Sequence, residues 1–290
     1  MKIAVTGGKG GTGKSTVATN ISVVLGRKYS VALGDLDVEC PNDHILLSAE
    51  LNNERKVEIF KPIFDYAKCT KCSVCKNICQ ENAIVMFRNN YPFLIPNLCS
   101  GCTACKLACT YNAIKDGSKL VGHTYESEIH GIKLFTGMLL EGEERAYPVV
   151  LATLKRIFSY SADIYIVDTS AGTSNSVAKS LESADLVVAV TEPTPLGAHA
   201  LEGILKLAGK LGLRAKIVVN RADIGNEKID KIAEKYSSEI VMEIPYSEEI
   251  VKSYMAGRPV VLDGGKMAKY YEDLAKIIEE ELYGGSGGER

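Results

Sequence analysis

Short apolar runs alternate with longer amphipathic segments along most of the 290-residue chain. The runs predict buried strands, and the segments between them predict helices. The expected strands are residues 2–6, 30–37, 163–168, 186–191, 215–220 and 241–244. The expected helices are residues 14–28, 147–159, 174–183, 198–211, 226–236 and 267–282, followed by a flexible tail at 284–290. Apolar strands separated by helices are typical of a doubly wound, mostly parallel α/β sheet that is covered on both faces.

An internal repeat interrupts this pattern between about residues 61 and 116. Its period is 30 residues, and its tripeptide at 82–84 recurs at 112–114. The cysteines of the first copy are Cys69, Cys72, Cys75 and Cys79, and those of the second are Cys99, Cys102, Cys105 and Cys109. We therefore expect a small α+β module at 61–116, inserted into a discontinuous larger domain of residues 1–60 and 117–290. Residues 120–142 have a weak pattern, for which we expect short strands and a loop.

The charge of the chain narrows the classes of partner. With 34 basic and 36 acidic residues, the net charge of -2 gives no electrostatic reason to expect nucleic acid or an anionic membrane as the main partner. The first residues lead directly into a strand and a glycine loop, which leaves no room for a signal peptide. No apolar run approaches the roughly 20 residues that a membrane helix needs. We expect a soluble, cytoplasmic protein.

The cysteines predict iron–sulfur chemistry. Eight of the nine lie between Cys69 and Cys109, and clustered cysteines in an intracellular chain indicate metal more often than disulfides. Each copy reads C-x2-C-x2-C-x3-C, the spacing of bacterial two-cluster ferredoxins, in which the fourth cysteine ligates the other cluster. The first expected [4Fe-4S] cluster is held by Cys69, Cys72, Cys75 and Cys109, and the second by Cys99, Cys102, Cys105 and Cys79.

Alternatives to the two clusters remain at this point. Zinc ribbons separate two C-x2-C pairs by a longer spacer, and a disulfide knot fits the expected compartment poorly. Gln80 and Thr110 stand where such ferredoxins usually have proline, which removes a rigid turn but no ligand. Cys40 lies outside the repeat, and its default interpretation is a buried, unreactive thiol.

A phosphate site is predicted near the amino terminus. Residues 8–15 match G-x-x-x-x-G-K-[ST], follow a predicted strand and open a predicted helix, which is the context of a P-loop. In such a loop Lys14 reaches the β- and γ-phosphates and Ser15 ligates Mg²⁺. The alternative is a glycine-rich turn that merely joins a strand to a helix. The residues expected to bind nucleotide here are Gly8, Lys9, Gly10, Gly11, Thr12, Gly13, Lys14, Ser15 and Thr16.

The run KGGTGKS at 9–15 resembles the deviant Walker A motif of the MinD, Mrp and nitrogenase-iron-protein ATPases. In that family two subunits face each other across two nucleotides. The resemblance implies that Lys9 contacts phosphate bound in the opposite subunit and that hydrolysis requires an ATP-dependent homodimer. The alternative is that Lys9 is a solvated loop lysine.

Further segments resemble the same family. Asp37 matches the aspartate that orients the attacking water in the first switch. The sequence DTSAG at 168–172 resembles the second switch, where Asp168 would hold Mg²⁺ through water and Gly172 would sense the γ-phosphate; Ser170 replaces the usual proline. The alternative is that Asp35, Asp37 and Asp168 cap turns at strand ends.

The end of the ATPase domain resembles the base-binding side of the family. Asn220, Arg221 and Pro245 match its base-side loops, and the resemblance implies ATP rather than GTP. The order of motifs along the whole chain resembles MinD-superfamily P-loop ATPases with an inserted ferredoxin domain.

Three functions follow from this resemblance. The first is an ATP-hydrolysing homodimer that couples its nucleotide state to electron transfer through two clusters, toward an unidentified redox or iron–sulfur partner. The second is an iron–sulfur cluster carrier, although the Mrp relatives use a late C-x-x-C and no cysteine follows Cys109 here. The third is a MinD-like positioning ATPase with structural clusters, although its last helix is acidic rather than basic.

Overall fold

The computed structural model describes the backbone of residues 1–284 and the side chains of residues 1–282. The strands are β1 (Lys2–Thr6), β2 (Val31–Leu36), β3 (Arg55–Phe64), β4 (Ile84–Val85), β5 (Phe93–Leu94), β6 (Ile114–Ile129), β7 (Ile132–Leu139), β8 (Ile164–Thr169), β9 (Leu186–Thr191), β10 (Arg214–Asn220) and β11 (Glu239–Ile244). The helices are α1 (Lys14–Leu25), α2 (Asp43–Leu46), α3 (Val74–Ile78), α4 (Ala104–Leu107), α5 (Ala146–Ser159), α6 (Asn175–Leu181), α7 (Pro195–Lys210), α8 (Ile229–Lys235), α9 (Glu248–Met255) and α10 (Lys266–Gly284). The predicted tail lies outside the described residues, apart from the glycine that ends α10.

One large sheet organises the chain. Within residues 1–284 it has nine strands in the order β11-β10-β9-β1-β8-β2-β7-β6-β3. The strands from β11 to β7 are parallel to their neighbours, whereas β6 and β3 continue the sheet as antiparallel strands at one edge. This confirms the predicted doubly wound, mostly parallel sheet.

The parallel strands are apolar on both faces because helices cover both faces. In β9, Val188 and Val190 face the layer that contains α1 and α10, while Val187 and Ala189 face the opposite layer of α5 to α8. Tyr271 of α10 is 1% exposed in the first of these layers. The apolar positions of α10 therefore pack on the core.

The repeat is built onto the antiparallel edge of the sheet. β3 leads into it, β6 leads out of it, and the two strands pair from Arg55 with Thr124 to Phe64 with Ile114. β4 and β5 form a small hairpin sheet of their own inside the repeat. Residues 114–121 of β6 extend beyond the end of β7, so the repeat lies past the carboxyl edge of the parallel strands.

At this edge one prediction is wrong and one strand was not predicted. Residues 120–142 do not form short strands and a loop, because β6 is 16 residues long and turns directly into β7. β3 was missed as well, since its alternation of charged and apolar residues is weaker than the signal of a doubly buried strand. Both strands run through the proposed module boundaries at 61 and 116, so backbone pairing continues from the module into the main sheet.

Candidate functional site

The glycine loop joins β1 to the amino terminus of α1. Gly13 has φ +93°, and a Cβ there would lie 2.3 Å from Nδ2 of Asn220, so glycine is required for both reasons. That Nδ2 donates a hydrogen bond of 2.8 Å to the carbonyl oxygen of Thr12. Asn220, at the end of β10, therefore holds the loop in place.

A cavity of about 390 Å³ opens over this loop. The predicted nucleotide residues that line it are Gly10, Gly11, Gly13, Lys14, Ser15, Thr16, Asp37, Asn220, Arg221 and Pro245. Backbone N–H groups at the helix amino terminus, the Lys14 ammonium and the Ser15 hydroxyl are the groups that bind a triphosphate and Mg²⁺, so the residues fit Mg-nucleotide. The other predicted residues, Gly8, Lys9, Thr12, Asp168 and Gly172, do not line this cavity.

One wall of the cavity was missed by sequence reasoning. It comes largely from α9 and the turn before it, with Tyr246, Ile250, Val251 and Tyr254 in the lining. The segment EEIVKSYM is short and polar, which gives a weak helical signal. These aromatic and aliphatic side chains offer the kind of apolar wall that suits a nucleotide base.

Asp168 and Ser15 are in direct contact, because the Ser15 hydroxyl donates a hydrogen bond to Oδ2 of Asp168 at 2.5 Å. Burial raises the pKa of Asp168 to about 7, although the Ser15 hydrogen bond and the Lys14 charge act in the opposite direction. Burial also raises the pKa of Asp37, which Lys14 partly offsets. The three predicted residues Lys14, Ser15 and Asp168 are thus brought together.

Asp35 stabilises the first switch. Its carboxylate accepts hydrogen bonds from the backbone N–H groups of Asp37, Asn42 and Asp43 at 3.1, 2.9 and 3.0 Å. It therefore caps the turn that follows β2, which is the role that the alternative in the sequence analysis gives it.

Lys9 is paired within its own chain. Its ammonium lies 3.3 Å from Oε2 of Glu192, whose Oε1 also accepts a 2.5 Å bond from Nη1 of Arg221. The Glu192 side chain is 4% exposed and that of Lys9 is 36% exposed. Before Lys9 can reach another subunit, it must leave this buried carboxylate.

The second switch contacts the glycine loop. The backbone N–H of Gly172 donates to the carbonyl oxygen of Gly7 at 3.1 Å, and Gly172 has φ +94°. The hydroxyl of Ser174 then accepts a hydrogen bond from the backbone N–H of Val177 and caps α6. One short loop therefore joins the contact between Gly172 and the glycine loop to the start of α6.

The cysteines of the repeat form two groups, each around its own small cavity. The first cavity is lined by Cys69, Cys72, Cys75 and Cys109. The second is lined by Cys79, Cys99, Cys102 and Cys105. Each group takes three cysteines from one copy of the repeat and the fourth from the other copy.

The two copies share their backbone conformation. Lys71 and Gly101, Ser73 and Thr103, and Asn82 and Asn112 have positive φ at equivalent positions. The N–H groups of Ala83 and Ala113 donate to Sγ of Cys79 and Cys109 at 3.3 and 3.4 Å. Equivalent N–H···S bonds at both fourth cysteines stabilise thiolates, as a cluster requires.

The thiols of both groups fit a metal cluster better than disulfides. Within the described residues all nine cysteines are free of disulfide bonds. Burial raises the pKa of Cys105 to about 11, with a further contribution from Cys99. Burial also raises the pKa of Cys75, to which Cys69, Cys72 and Cys109 add. Four thiols around one small cavity form a donor set that a positively charged iron centre would stabilise in the thiolate form.

Cys40 corrects one expectation. It is exposed rather than buried, because it stands at the tip of the turn after Asp37. It belongs to neither of the two cysteine groups.

Arg145 connects the repeat with the ATPase domain. Its Nη1 donates to the carbonyl oxygen of Cys99, while its Nε and Nη2 bind Glu143 at 2.5 Å each. Lys119 of β6 lies 2.8 Å from the same carboxylate. Arg145 holds the pKa of Glu143 at about 2. Arg145 itself stands immediately before α5.

The sequence and fold of this chain are similar to those of known proteins. The sequence profile of the CobQ/CobB/MinD/ParA nucleotide binding domain matches residues 3–260. A relative in Methanocaldococcus jannaschii, an uncharacterized protein, is 37% identical over 281 residues, which are 97% of this chain and 96% of the relative. The septum site-determining protein MinD from Pyrococcus horikoshii, solved with Mg-ADP, has a TM-score of 0.63 and 17% identity, with 99% of both chains covered. This chain therefore belongs to the CobQ/CobB/MinD/ParA nucleotide-binding family, and it is a P-loop ATPase.

A shorter similarity concerns iron–sulfur proteins. An iron-sulfur cluster carrier protein of Pyrococcus abyssi is 43% identical over 65 residues, which are 22% of this chain and 20% of that protein. Separately, none of the helices within residues 1–284 combines the length and the apolar character needed to cross a membrane.

Proposed function

We propose that this ATPase is a nucleotide-switched homodimer that couples its ATP state to electron transfer through two [4Fe-4S] clusters. The observation that carries the proposal is the pair of four-cysteine cavities, built on strands that continue the ATPase sheet. When bound, each cluster would supply a one-electron redox couple. The chain supplies the thiols, the N–H···S bonds and a route from the nucleotide.

Distance limits how the two sites can communicate. Asp35 of β2 is paired in register with Thr136 of β7, and Thr136 is paired with Tyr125 of β6. The cavity around Cys99 lies near Pro62, which pairs with Asp116. The separation along β6 is on the order of 30 Å, at roughly 3.3 Å per residue. Charges this far apart are screened at ~0.1 M salt, where the Debye length is about 10 Å, so a mechanical route is needed.

Packed elements offer such a route. α5 begins next to Arg145, which binds the carbonyl of Cys99, and it packs against β2, β6, β7 and α6. Buried Arg156 of α5 donates to the carbonyl oxygens of Thr124 and Asn53 and fixes the helix to β6. α6 follows the second switch. A movement of Gly172 on ATP binding would therefore shift α6 and α5 and, through Arg145, the second cysteine group.

The dimer is supported by the environment of Lys9. In the single chain Lys9 neutralises Glu192 together with Arg221. We propose that the facing subunit's ATP draws Lys9 away, and that Arg221 keeps Glu192 paired. The lysine then completes the partner's phosphate site, so hydrolysis follows dimer formation.

Iron analysis tests whether the cysteine groups hold clusters. Protein purified without oxygen should contain about eight iron atoms and about eight sulfides per chain, as two [4Fe-4S] clusters require. On dithionite reduction it should give an EPR signal of two interacting clusters. Zinc in place of iron, or iron without labile sulfide, would rule out electron transfer through two [4Fe-4S] clusters while leaving the ATPase assignment intact.

Cluster delivery is the second candidate function. It is favoured by the short similarity to a cluster carrier and by the exposure of Cys72 and Cys102, one in each group. The test is incubation of loaded protein with an apo-ferredoxin acceptor. ATP-dependent transfer of iron and sulfide to the acceptor would favour delivery, whereas retention of both clusters through many turnovers would favour electron transfer.

A further inference from the structure

The two copies of the cysteine repeat continue into different surroundings. In the second copy the segment after the fourth cysteine becomes β6, which pairs with β3 and β7 in the main sheet. In the first copy the equivalent segment, residues 84–94, forms only the hairpin of β4 and β5. One copy is therefore tied into the main sheet, whereas the hairpin of the other forms a small sheet of its own.

Exposed aromatic side chains cover this hairpin. Phe87 is 67% exposed and stacks on exposed Phe93, with ring centroids 6.0 Å apart. Tyr91 contacts Tyr66 at a centroid distance of 4.9 Å, and both are exposed as well. Exposed aromatic groups gathered in one place are typical of an interaction surface. We call Tyr66, Phe87, Tyr91 and Phe93 the aromatic face.

The aromatic face adjoins the first cysteine group. The hairpin segment supplies Met86 and Pro92 to the lining of the cavity that this group surrounds. Lys71 lines the same cavity, and its Nζ lies 4.4 Å from the ring centroid of Tyr91. A molecule bound to the aromatic face would therefore lie next to the first group.

The second cysteine group has no equivalent access on that side. Gly101 stands at the position equivalent to Lys71, and a Cβ there would lie only 3.0 Å from Cβ of Ile59 in β3. Arg145 binds the carbonyl oxygen of Cys99 from the ATPase domain. The second group is therefore packed against the main sheet, and the first group is the one that faces outward through the hairpin.

Charge indicates the kind of partner that the face fits. Residues 61–116 carry seven basic and three acidic side chains, although the whole chain carries 34 and 36. Asp65 and Asp116 are ion-paired within the repeat, with Lys115 and Lys106. Lys71 stays exposed beside the aromatic face. Bound clusters would add negative charge inside the cavities, but a partner meets the exposed cation, which favours an acidic docking surface.

We propose that the aromatic face docks a small electron-carrying protein with an acidic surface, and that the first cysteine group exchanges electrons with it. The proposal rests on the function proposed above, because it requires clusters in the cysteine groups. The reduced carrier loses one electron and is oxidised, and the first group's cluster gains that electron and is reduced, or the reverse. The second group, beside Arg145, is left for contact with the ATPase domain.

Direct binding tests the face. Loaded full-length protein is titrated without oxygen into a dye-labelled plant-type [2Fe-2S] ferredoxin, an acidic carrier, and the Kd is read from fluorescence anisotropy. Lys71→Glu and Phe87→Ser should each weaken binding by about fivefold or more, because one reverses the charge and the other removes an apolar contact. Raising the salt from ~0.05 to ~0.3 M should weaken wild-type binding more than that of Lys71→Glu.

Matched control variants lie outside the aromatic face. Leu107→Ser changes an α4 side chain that is 82% exposed, and Lys231→Glu changes an exposed lysine of α8. Both should bind the ferredoxin like wild type. Iron and sulfide contents are measured for every variant, and Phe87→Ser keeps the test valid if Lys71→Glu loses iron, because Phe87 is farther from the cysteines in sequence.

Several results would overturn the proposal. They are ferredoxin binding that is absent in wild type or unchanged in Phe87→Ser, and equally tight binding of cytochrome c, a basic carrier. A single-stranded DNA oligonucleotide that binds where the ferredoxin does not would assign the face to nucleic acid. Self-association that is lost in Phe87→Ser, without ferredoxin binding, would assign it to a second copy of this chain.

Electron exchange separates this proposal from the proposed function. Reduced protein is mixed with oxidised ferredoxin, and oxidised protein with reduced ferredoxin, and the absorbance is followed by stopped flow. Binding that depends on the face, without exchange in either direction, would retain the docking surface and contradict electron transfer. Exchange at the wild-type rate in Phe87→Ser would contradict the docking surface and retain electron transfer.

Discussion

Lys14 is expected to be needed for nucleotide binding itself. It lines the cavity, is 6% exposed and lies close to Asp37 and Asp168. Lys14→Ala removes the charge that reaches the β- and γ-phosphates, so ATP binding should weaken by about tenfold or more and ATP-dependent dimerisation should disappear. Equilibrium binding of a fluorescent ATP analogue and light scattering measure the two effects. Unchanged dimerisation would contradict the P-loop role of Lys14.

Lys9 should behave differently, since it lies outside the cavity lining. Lys9→Ala leaves Glu192 paired with Arg221, so folding and ATP binding should remain close to wild type. Hydrolysis should fall by about a hundredfold or more if the lysine completes the partner's site, in the manner of a cation supplied in trans. Lys206→Ala, an exposed lysine of α7, is the control. If the Lys9→Ala variant hydrolyses ATP normally, Lys9 is a solvated loop lysine and has no role in the partner's site.

Substitution of the fourth cysteine of each copy tests whether that cysteine ligates the cluster of the other copy or the cluster of its own copy. Cys109→Ser should damage the cluster expected on Cys69, Cys72 and Cys75, and Cys79→Ser the other one, because these are the groupings around the two cavities. Iron content and EPR of the two variants, compared side by side, give the assignment. Loss of the cluster associated with Cys99 in the Cys109→Ser variant would reverse it.

At the scale of elements, the clearest sequence signals came from doubly buried strands. Residues 186–191 were predicted with the observed ends of β9, because an apolar run bounded by polar residues leaves little choice. β3 and β6 were not foreseen, since strands with one polar face have mixed patterns. α9 was missed for a similar reason, and with it the apolar wall of the cavity.

The candidate site was predictable where chemistry and spacing coincide. The P-loop residues, Asp37 and the base-side residues follow from short motifs, and the structure brings most of them to one cavity. The contact of Glu192 with Lys9 and the place of Asp43 beside Asp168 depend on how distant elements pack. Sequence spacing carries no signal for such contacts without an alignment or a structure.

Arg145 joins α5 to the cysteine repeat. Arg145→Gln removes a positive charge beside the Cys99 backbone. The reduced cluster is more negative than the oxidised one, so it loses more electrostatic stabilisation. The midpoint of the cluster expected there should fall by on the order of tens of millivolts. Arg88→Gln, at an exposed arginine of the repeat, controls for charge alone. An unchanged midpoint, with intact iron content, would remove Arg145 from the route.

At the scale of the whole molecule, one sheet carries both sites. The nucleotide site lies at the carboxyl ends of the parallel strands, and the repeat extends from the antiparallel edge past that same end. Because strands pair without interruption from β2 through β7 and β6 to β3, the two sites share a rigid base. In the mechanism proposed above, switch movement would reach the repeat through α6 and α5 without unfolding either part.

An anaerobic EPR redox titration of the loaded protein, without nucleotide and with a non-hydrolysable ATP analogue, tests the coupling most directly. The account predicts that the analogue shifts at least one midpoint by about 60 mV or more, which is a tenfold change for a one-electron couple. The shift should be absent in Lys14→Ala. Identical midpoints and line shapes in wild-type protein that demonstrably binds the analogue would contradict coupling between the nucleotide and the clusters.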